Sequence, residues 1–201
     1  MIAIIDYGAG NLRSVEKALE FLGFKAKITS KPDEIISADK VILPGVGAFG
    51  DCMNSINKAY LTHCIHQVIE NNVPFLGICL GLQLLFETSE ESPNEPGLKI
   101  FDGNCIKISK QGSLKIPHIG WNSIKYDKNC PIFQGLSEEP YMYFVHSYYI
   151  NPKDKEIISA VTEYGTELPI AVHKNNIFAT QFHPEKSGNE GLKVLKNFGN
   201  L

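Results

Sequence analysis

Two short segments carry the residue types that covalent acyl transfer requires. Gly77-Ile78-Cys79-Leu80-Gly81-Leu82-Gln83 places one cysteine at the end of an apolar run, with glycines two before and two after it. Gln181-Phe182-His183-Pro184-Glu185 ends another apolar run in a histidine, with a carboxylate two residues on. A thiol nucleophile, an imidazole base and a carboxylate that orients the imidazole make a triad.

Each segment also has a plainer reading on its own. The Gly77–Gly81 spacing has the layout of a nucleophile elbow, in which glycines let a strand and the following helix approach closely around a strained turn. Cys79 at a helix N-terminus would sit in a positive field, and the N–H of Leu80 would point to a developing oxyanion. A buried structural cysteine at a strand end would look the same. His183 precedes a proline and is therefore biased to extended backbone, where residues two apart share a side and Glu185 can reach one ring nitrogen. A His-Pro turn with a solvated glutamate is the plain version. Pro44-Gly45-Val46-Gly47 also follows an apolar run. Its two glycines allow a peptide to flip and offer a second N–H, or they make an ordinary tight turn.

The elements that must position these residues alternate in type through the first half. Residues 2–5 read as a buried strand, and Leu12, Val15, Leu19 and Leu22 form a helix face with Asn11 as N-cap and Gly23 just past the end. Strands follow at 25–29 and 40–43, the latter stopped by Pro44-Gly45. A helix carries Leu61, Ile65 and Val68; Val73 to Ile78 is a strand, and a helix opens over 80–86. Strands alternating with helices imply a largely parallel sheet covered on both faces, with its sites at the C-terminal strand ends. After the polar stretch 90–97, strand-like runs succeed one another at 104–109, 121–126, 141–150, 157–161, 170–173 and 177–182, as antiparallel additions. Leu192, Leu195 and Phe198 mark a closing helix. The stretch 90–97 is read as a loop, so one domain, 1–201, is expected.

Composition excludes several classes. Hydrophobic residues are 43% and charged residues 20%, and the net charge of −3 gives no attraction to nucleic acid or an anionic membrane. Five cysteines at irregular spacings support neither a disulfide framework nor a zinc site. No membrane-length apolar run and no leader-like flank precede Ile2, so a reducing cytoplasm is the expected setting. Gly8-Ala9-Gly10-Asn11 lacks the third glycine of a dinucleotide loop. His63 and His66 have metal-like spacing but no third ligand.

The two motifs together resemble the class I (triad) glutamine amidotransferases. Asp6-Tyr7-Gly8-Ala9-Gly10-Asn11-Leu12, Leu43-Pro44-Gly45-Val46-Gly47, Pro117-His118-Ile119-Gly120-Trp121-Asn122, Phe144-Val145-His146-Ser147-Tyr148 and the extension to Lys186-Ser187 are similar, within that class, to the glutaminase subunits of imidazole glycerol phosphate synthases. The resemblance spans the chain. It implies a flavodoxin-like α/β fold, no cofactor or metal, and Cys79, His183 and Glu185 as the triad. It further implies an oxyanion hole from Leu80 and the Gly45, Val46 and Gly47 loop. Gln83, Glu91, Ser147 and Tyr148 would hold the amino-acid end of L-glutamine. Asn11, His118, Trp121 and Lys186 would face a (β/α)₈-barrel cyclase that receives ammonia in histidine biosynthesis, as a heterodimer. A glutaminase of another pathway, a subunit paired with a cyclase-like protein acting on a sugar, a triad hydrolase, and a non-enzymatic module are the competing readings.

Overall fold

The structure, a computed structural model, describes residues 1–110, 112 and 114–201. β1 (Ile2–Ile5) is buried at every position, the mark of a parallel strand covered on both faces. It pairs in parallel with β2 (Ala26–Thr29) and with β3 (Lys40–Gly45), which in turn pairs with β4 (Phe75–Cys79). The connections are helical: α1 (Leu12–Phe21), α2 (Pro32–Ile36), and a pair, α3 (Phe49–Lys58) and α4 (Leu61–Glu70). α5 (Leu80–Gln83) follows β4 directly.

Beyond it come β5 (Phe86–Ser89), β6 (Phe101–Lys107), β7 (His118–Ser123), β8 (Lys125–Tyr126), β9 (Tyr141–His146), β10 (Tyr148–Pro152), β11 (Ile158–Glu163), β12 (Glu167–Lys174) and β13 (Ile177–Thr180), then α6 (Gly188–Asn200). The large sheet runs β2-β1-β3-β4-β13-β12-β11-β8. Its first five strands are parallel and the rest antiparallel; β13, expected as an antiparallel addition, is instead the fifth parallel strand. A three-stranded sheet (β10-β6-β5) and a two-stranded one (β7-β9) complete the C-terminal half. Alternate side chains of β1 enter two separate cores, Ala3 and Ile5 one, Ile2 and Ile4 the other, so each face of the large sheet carries its own.

Three expectations change. β3 does not stop at Pro44-Gly45 but runs through both, with Gly45 opposite Cys79. The helix over 80–86 is a single turn, because Leu84, Leu85 and Phe86 are buried all round and Phe86 joins a strand paired with Phe101. The helical stretch before Val73 is two helices, broken at Tyr60, which takes a left-handed conformation at φ 56°. α2 went unread in the sequence; Pro32 at its first turn is the signal that marks it.

The crossover that matters is the last one. β13, far along the chain, inserts beside β4 in parallel, with Thr180 opposite Ile78. That register brings the residues just past Thr180 to the strand end where Cys79 sits.

Candidate active site

Cys79 ends β4 with φ 56° and ψ −112°, a conformation that costs a non-glycine residue free energy and that the surrounding packing must impose. The glycines make the imposition possible. A Cβ on Gly77 would lie 2.8 Å from the Gly81 carbonyl oxygen, one on Gly45 would lie 2.8 Å from the Gly81 nitrogen, and one on Gly81 would strike the Leu43 carbonyl oxygen. Strand β4, turn α5 and strand β3 are thus in backbone contact. Leu80 begins α5, so its N–H is not used within the turn.

His183 extends from β13 with φ −96° and ψ 99°, and Pro184–Lys186 then forms a 3₁₀ turn. That turn, rather than an extended segment, folds Glu185 back under the ring: His183 Nδ1 lies 2.9 Å from Glu185 Oε1. Both side chains are almost fully buried, at 2% and 1% exposure. Ser187 secures the segment, donating from its hydroxyl to the His183 carbonyl at 2.6 Å and accepting the Tyr143 N–H at 3.0 Å. Asn11 stands at the N-cap position of α1 but its side chain makes no cap hydrogen bond. Its amide instead reaches Glu185 Oε1 at 3.5 Å. Burial pulls the proton affinity of His183 down, but the nearby Cys79 and Glu185 outweigh it and push the imidazole up to about 10. Nε2, the nitrogen left over once Nδ1 faces the carboxylate, has no hydrogen-bond partner among the described residues.

Cys79, Leu80, His183, Val46, Gly47, Gln83, Glu91, Ser147 and Tyr148 all line one cavity of about 260 Å³. Gly45, opposite Cys79 at the end of β3, is not among its lining residues. The loop is fixed by two residues the sequence did not single out for this task. Tyr7 donates its hydroxyl to the Pro44 carbonyl at 2.9 Å, and the Cys52 thiol donates to the Val46 carbonyl at 3.4 Å. Gly47 takes φ 103°, which no β-carbon-bearing residue adopts cheaply. Glu91 has a second contact: Oε2 accepts the Phe49 N–H at 2.8 Å at the start of α3, tying the cavity wall to the helix that follows the loop.

Gln181, quoted in the motif but given no role from sequence, donates its amide to the Cys79 sulfur at 3.7 Å and accepts from Gln83 Nε2 at 2.9 Å. Of the four residues expected at a partner surface, Trp121 is 54% exposed and Lys186 is exposed too, its ammonium 5.9 Å from the Tyr143 ring centroid. Asn11 is half-buried. His118 is not at the surface: strand alternation turns it inward, 2% exposed, while Ile119 and Trp121 face out. The outer face of β7-β9 also carries Val145 and Tyr141, opposite Ile119 and Ser123. Among the described residues no cluster of three or more His, Cys, Asp or Glu could hold a metal ion, and no helix is long and apolar enough to cross a membrane.

A cysteine on a strained turn, an imidazole held by a carboxylate and free N–H groups beside a small cavity can break an amide through a thioester. Comparison with known proteins agrees in kind. The profile of the class-I glutamine amidotransferases matches residues 3–200. Over its full length the chain is 52% identical to the whole imidazole glycerol phosphate synthase subunit HisH 1 of Methanococcus maripaludis. It is 54% identical, over all of this chain and 98% of the relative, to the HisH subunit of Caldanaerobacter subterraneus subsp. tengcongensis. The HisH subunit of Methanocaldococcus jannaschii is 53% identical over the whole of both chains. Among solved structures, PurLQS from Thermotoga maritima superposes with a TM-score of 0.77 at 20% identity, covering 99% of this chain and 97% of that one. A crystal structure of a glutamine amidotransferase gives 0.77 at 17% identity over the whole of both, a likeness of fold. The chain belongs to the class-I glutamine amidotransferase family, on the branch of the imidazole glycerol phosphate synthase HisH subunits.

Proposed function

We propose that this chain is the glutaminase subunit of an imidazole glycerol phosphate synthase, releasing ammonia from L-glutamine for a (β/α)₈-barrel cyclase in histidine biosynthesis. The observation that carries the reading is the line Cys79–His183–Glu185 at the cavity of a chain 52–54% identical, end to end, to HisH subunits. The whole chain, 1–201, acts as one amidotransferase domain. Its five cysteines are free and buried, which suits a cytoplasmic setting.

In the proposed reaction Cys79 yields its proton to His183 Nε2 and attacks the carboxamide carbon of glutamine. The oxyanion that forms is held by the N–H of Leu80 and by the loop of Gly45, Val46 and Gly47. His183, steadied by Glu185, returns the proton to the departing nitrogen, and ammonia leaves with a γ-glutamyl thioester on Cys79. His183 then takes a proton from water as the water attacks the thioester, and glutamate departs with the thiol restored. Gln83 and Glu91 suit the α-ammonium of glutamine, and the Ser147–Tyr148 backbone suits its carboxylate.

On this reading the partner docks on the face of β7-β9. Ile119, Trp121, Tyr141 and Val145 are exposed apolar or aromatic residues there, and Val145 also lines the cavity. Lys186 and Asn11 lie beside this face, so a cyclase docked on it would cover the route by which ammonia leaves. His118 acts from behind that face and not as a contact. The test is Cys79→Ala in the complex with the cyclase. Loss of glutamate formation, with the cyclase still turning over on added ammonia, is the expected result; glutamate formation at the wild-type rate would overturn the assignment.

A further inference from the structure

The antiparallel register of β7 and β9 sets His118 directly opposite His146 on the buried side of the ribbon. We propose that these two histidines form a neutral, proton-ordered pair that positions the Tyr148 segment and, through Gln83 and Gln181, the substrate end of the cavity and the Cys79 sulfur. The proposal rests on the glutaminase reading for what the cavity holds, but not for the order of the protons.

Donor and acceptor roles fix that order. His146 Nδ1 lies 2.8 Å from the Tyr148 carbonyl oxygen, which only accepts, so Nδ1 carries a hydrogen. His146 Nε2 lies 3.1 Å from His118 Nδ1. With His146 neutral its Nε2 is bare and accepts from His118 Nδ1–H, which leaves His118 Nε2 bare in turn. That nitrogen meets Asn122 Nδ2 at 3.4 Å. The Asn122 amide cannot turn over, because its oxygen accepts the Ser123 N–H at 2.9 Å and its nitrogen donates to the Glu163 carbonyl at 2.9 Å. A proton added to either ring therefore sets two donors face to face, at Asn122 or between the rings. Burial acts in the same direction and pulls His118 down to about 4 and His146 to about 3. The titratable groups facing the pair are His183, whose charge further disfavours one on His146, and Tyr164, stacked on His118 at 4.0 Å between ring centroids.

The same order continues toward the nucleophile. The Tyr148 carbonyl takes a second hydrogen bond, from Gln83 Nε2 at 3.1 Å, and the other Gln83 amide hydrogen goes to Gln181 Oε1 at 2.9 Å. Both donors of Gln83 are thereby committed, and its carbonyl oxygen is what remains to offer the cavity that Gln83 lines. That oxygen recognises a ligand presenting N–H groups, such as an α-ammonium. Gln181, its oxygen committed, presents its amide hydrogens to the Cys79 sulfur. His118 and His146 touch neither substrate nor sulfur; they are positioning residues that act through Tyr148.

The test has two arms. In the first, ¹⁵N NMR of the histidine rings of the full chain, assigned with His118→Phe and His146→Asn, is followed from pH 5 to pH 8. Both rings are expected neutral and protonated at Nδ1 throughout; an Nε2–H tautomer or a charged ring at pH 7 overturns the proton order. In the second, glutamine KM and kcat are measured in the complex with the cyclase. His146→Leu loses the donor to Tyr148 and is expected to raise KM about tenfold with a smaller change in kcat, the scale of one buried hydrogen bond. His146→Asn, whose Nδ2 takes the place of Nδ1, is expected to restore KM to within about threefold. Equal KM for the two variants, or an unchanged KM in His146→Leu, overturns the positioning role. A wild-type complex that forms no glutamate overturns the glutaminase reading and the substrate-holding half of this proposal, while the NMR arm decides the proton order by itself.

Discussion

His183 and the His118–His146 pair are buried to nearly the same degree, 2%, 2% and 5% exposed, and they are driven in opposite directions. His183 has a carboxylate on one nitrogen and a thiol near the other, and is pushed up to about 10. His118 and His146 have a carbonyl, an amide and each other, and are pulled down to about 4 and about 3. Burial disfavours the charged imidazole in both places; what differs is whether an acidic partner is present to reverse it. One fold thus favours the charged imidazole beside a thiol and a carboxylate and disfavours it among a carbonyl, an amide and a second ring.

The comparison dictates pH effects of opposite sign. Folding raises His183 above its ordinary 6.5, so its contribution to stability is whole below that value and is lost as pH climbs toward about 10. Folding lowers the pair, so their contribution is whole above about 6.5 and is lost as pH falls toward 4 and then 3.

The largest expected effect comes from removing the acid that separates the two cases. Glu185→Gln leaves His183 with burial but without its counter-charge, and kcat for glutamate formation is expected to fall roughly 10³-fold. The high-pH titration of the ring should move back toward neutrality; a variant that keeps both rate and titration would break the contrast. Gly81→Ala tests the backbone side of the same site. Its Cβ would collide with the Leu43 carbonyl, and a loss of about 4 kcal/mol is expected by denaturant unfolding. A well-folded, active variant would show that β3 and the elbow need not touch.

A smaller effect belongs to the neutral pair. In wild type it contributes to the loss of stability between pH 6.5 and pH 4, about 3 kcal/mol for His118. His118→Phe should flatten that slope; an unchanged slope would mean that this ring is not held neutral by the fold. The smallest expected effect is at the outer face, where Trp121→Ala should weaken cyclase binding by about 2 kcal/mol in calorimetry. Affinity equal to wild type would move the docking face elsewhere.

The residues that meet at the cavity were legible in the sequence because they sit in two contiguous motifs at strand ends. Local glycine spacing announced the elbow around Cys79, whereas the parallel β4-β13 pairing was missed, because an apolar run following other strands does not show which strand it will join. What carried Glu185 to His183 was misread, since a 3₁₀ turn does the work assigned to extended backbone. The neutral pair was not legible. His118 and His146 are 28 residues apart, and only the β7-β9 register makes them partners. The resemblance had set His118 at the partner surface; the strand's alternation turns it inward, and its phase is not visible until the inner side is known. Helical periodicity likewise overran at 80–86, where full burial of Leu84 to Phe86 gives no face to read.

The most direct test of the central claim is glutamate release from L-glutamine by this chain alone and with an imidazole glycerol phosphate synthase cyclase subunit and its nucleotide ligand. The account predicts slow release alone and stimulation of roughly 10²–10³-fold in the complex, the worth of one oxyanion donor, if docking of the cyclase is what turns a peptide of the Gly45–Gly47 loop toward the oxyanion. A cyclase active on free ammonia that leaves glutamate release unchanged would contradict it.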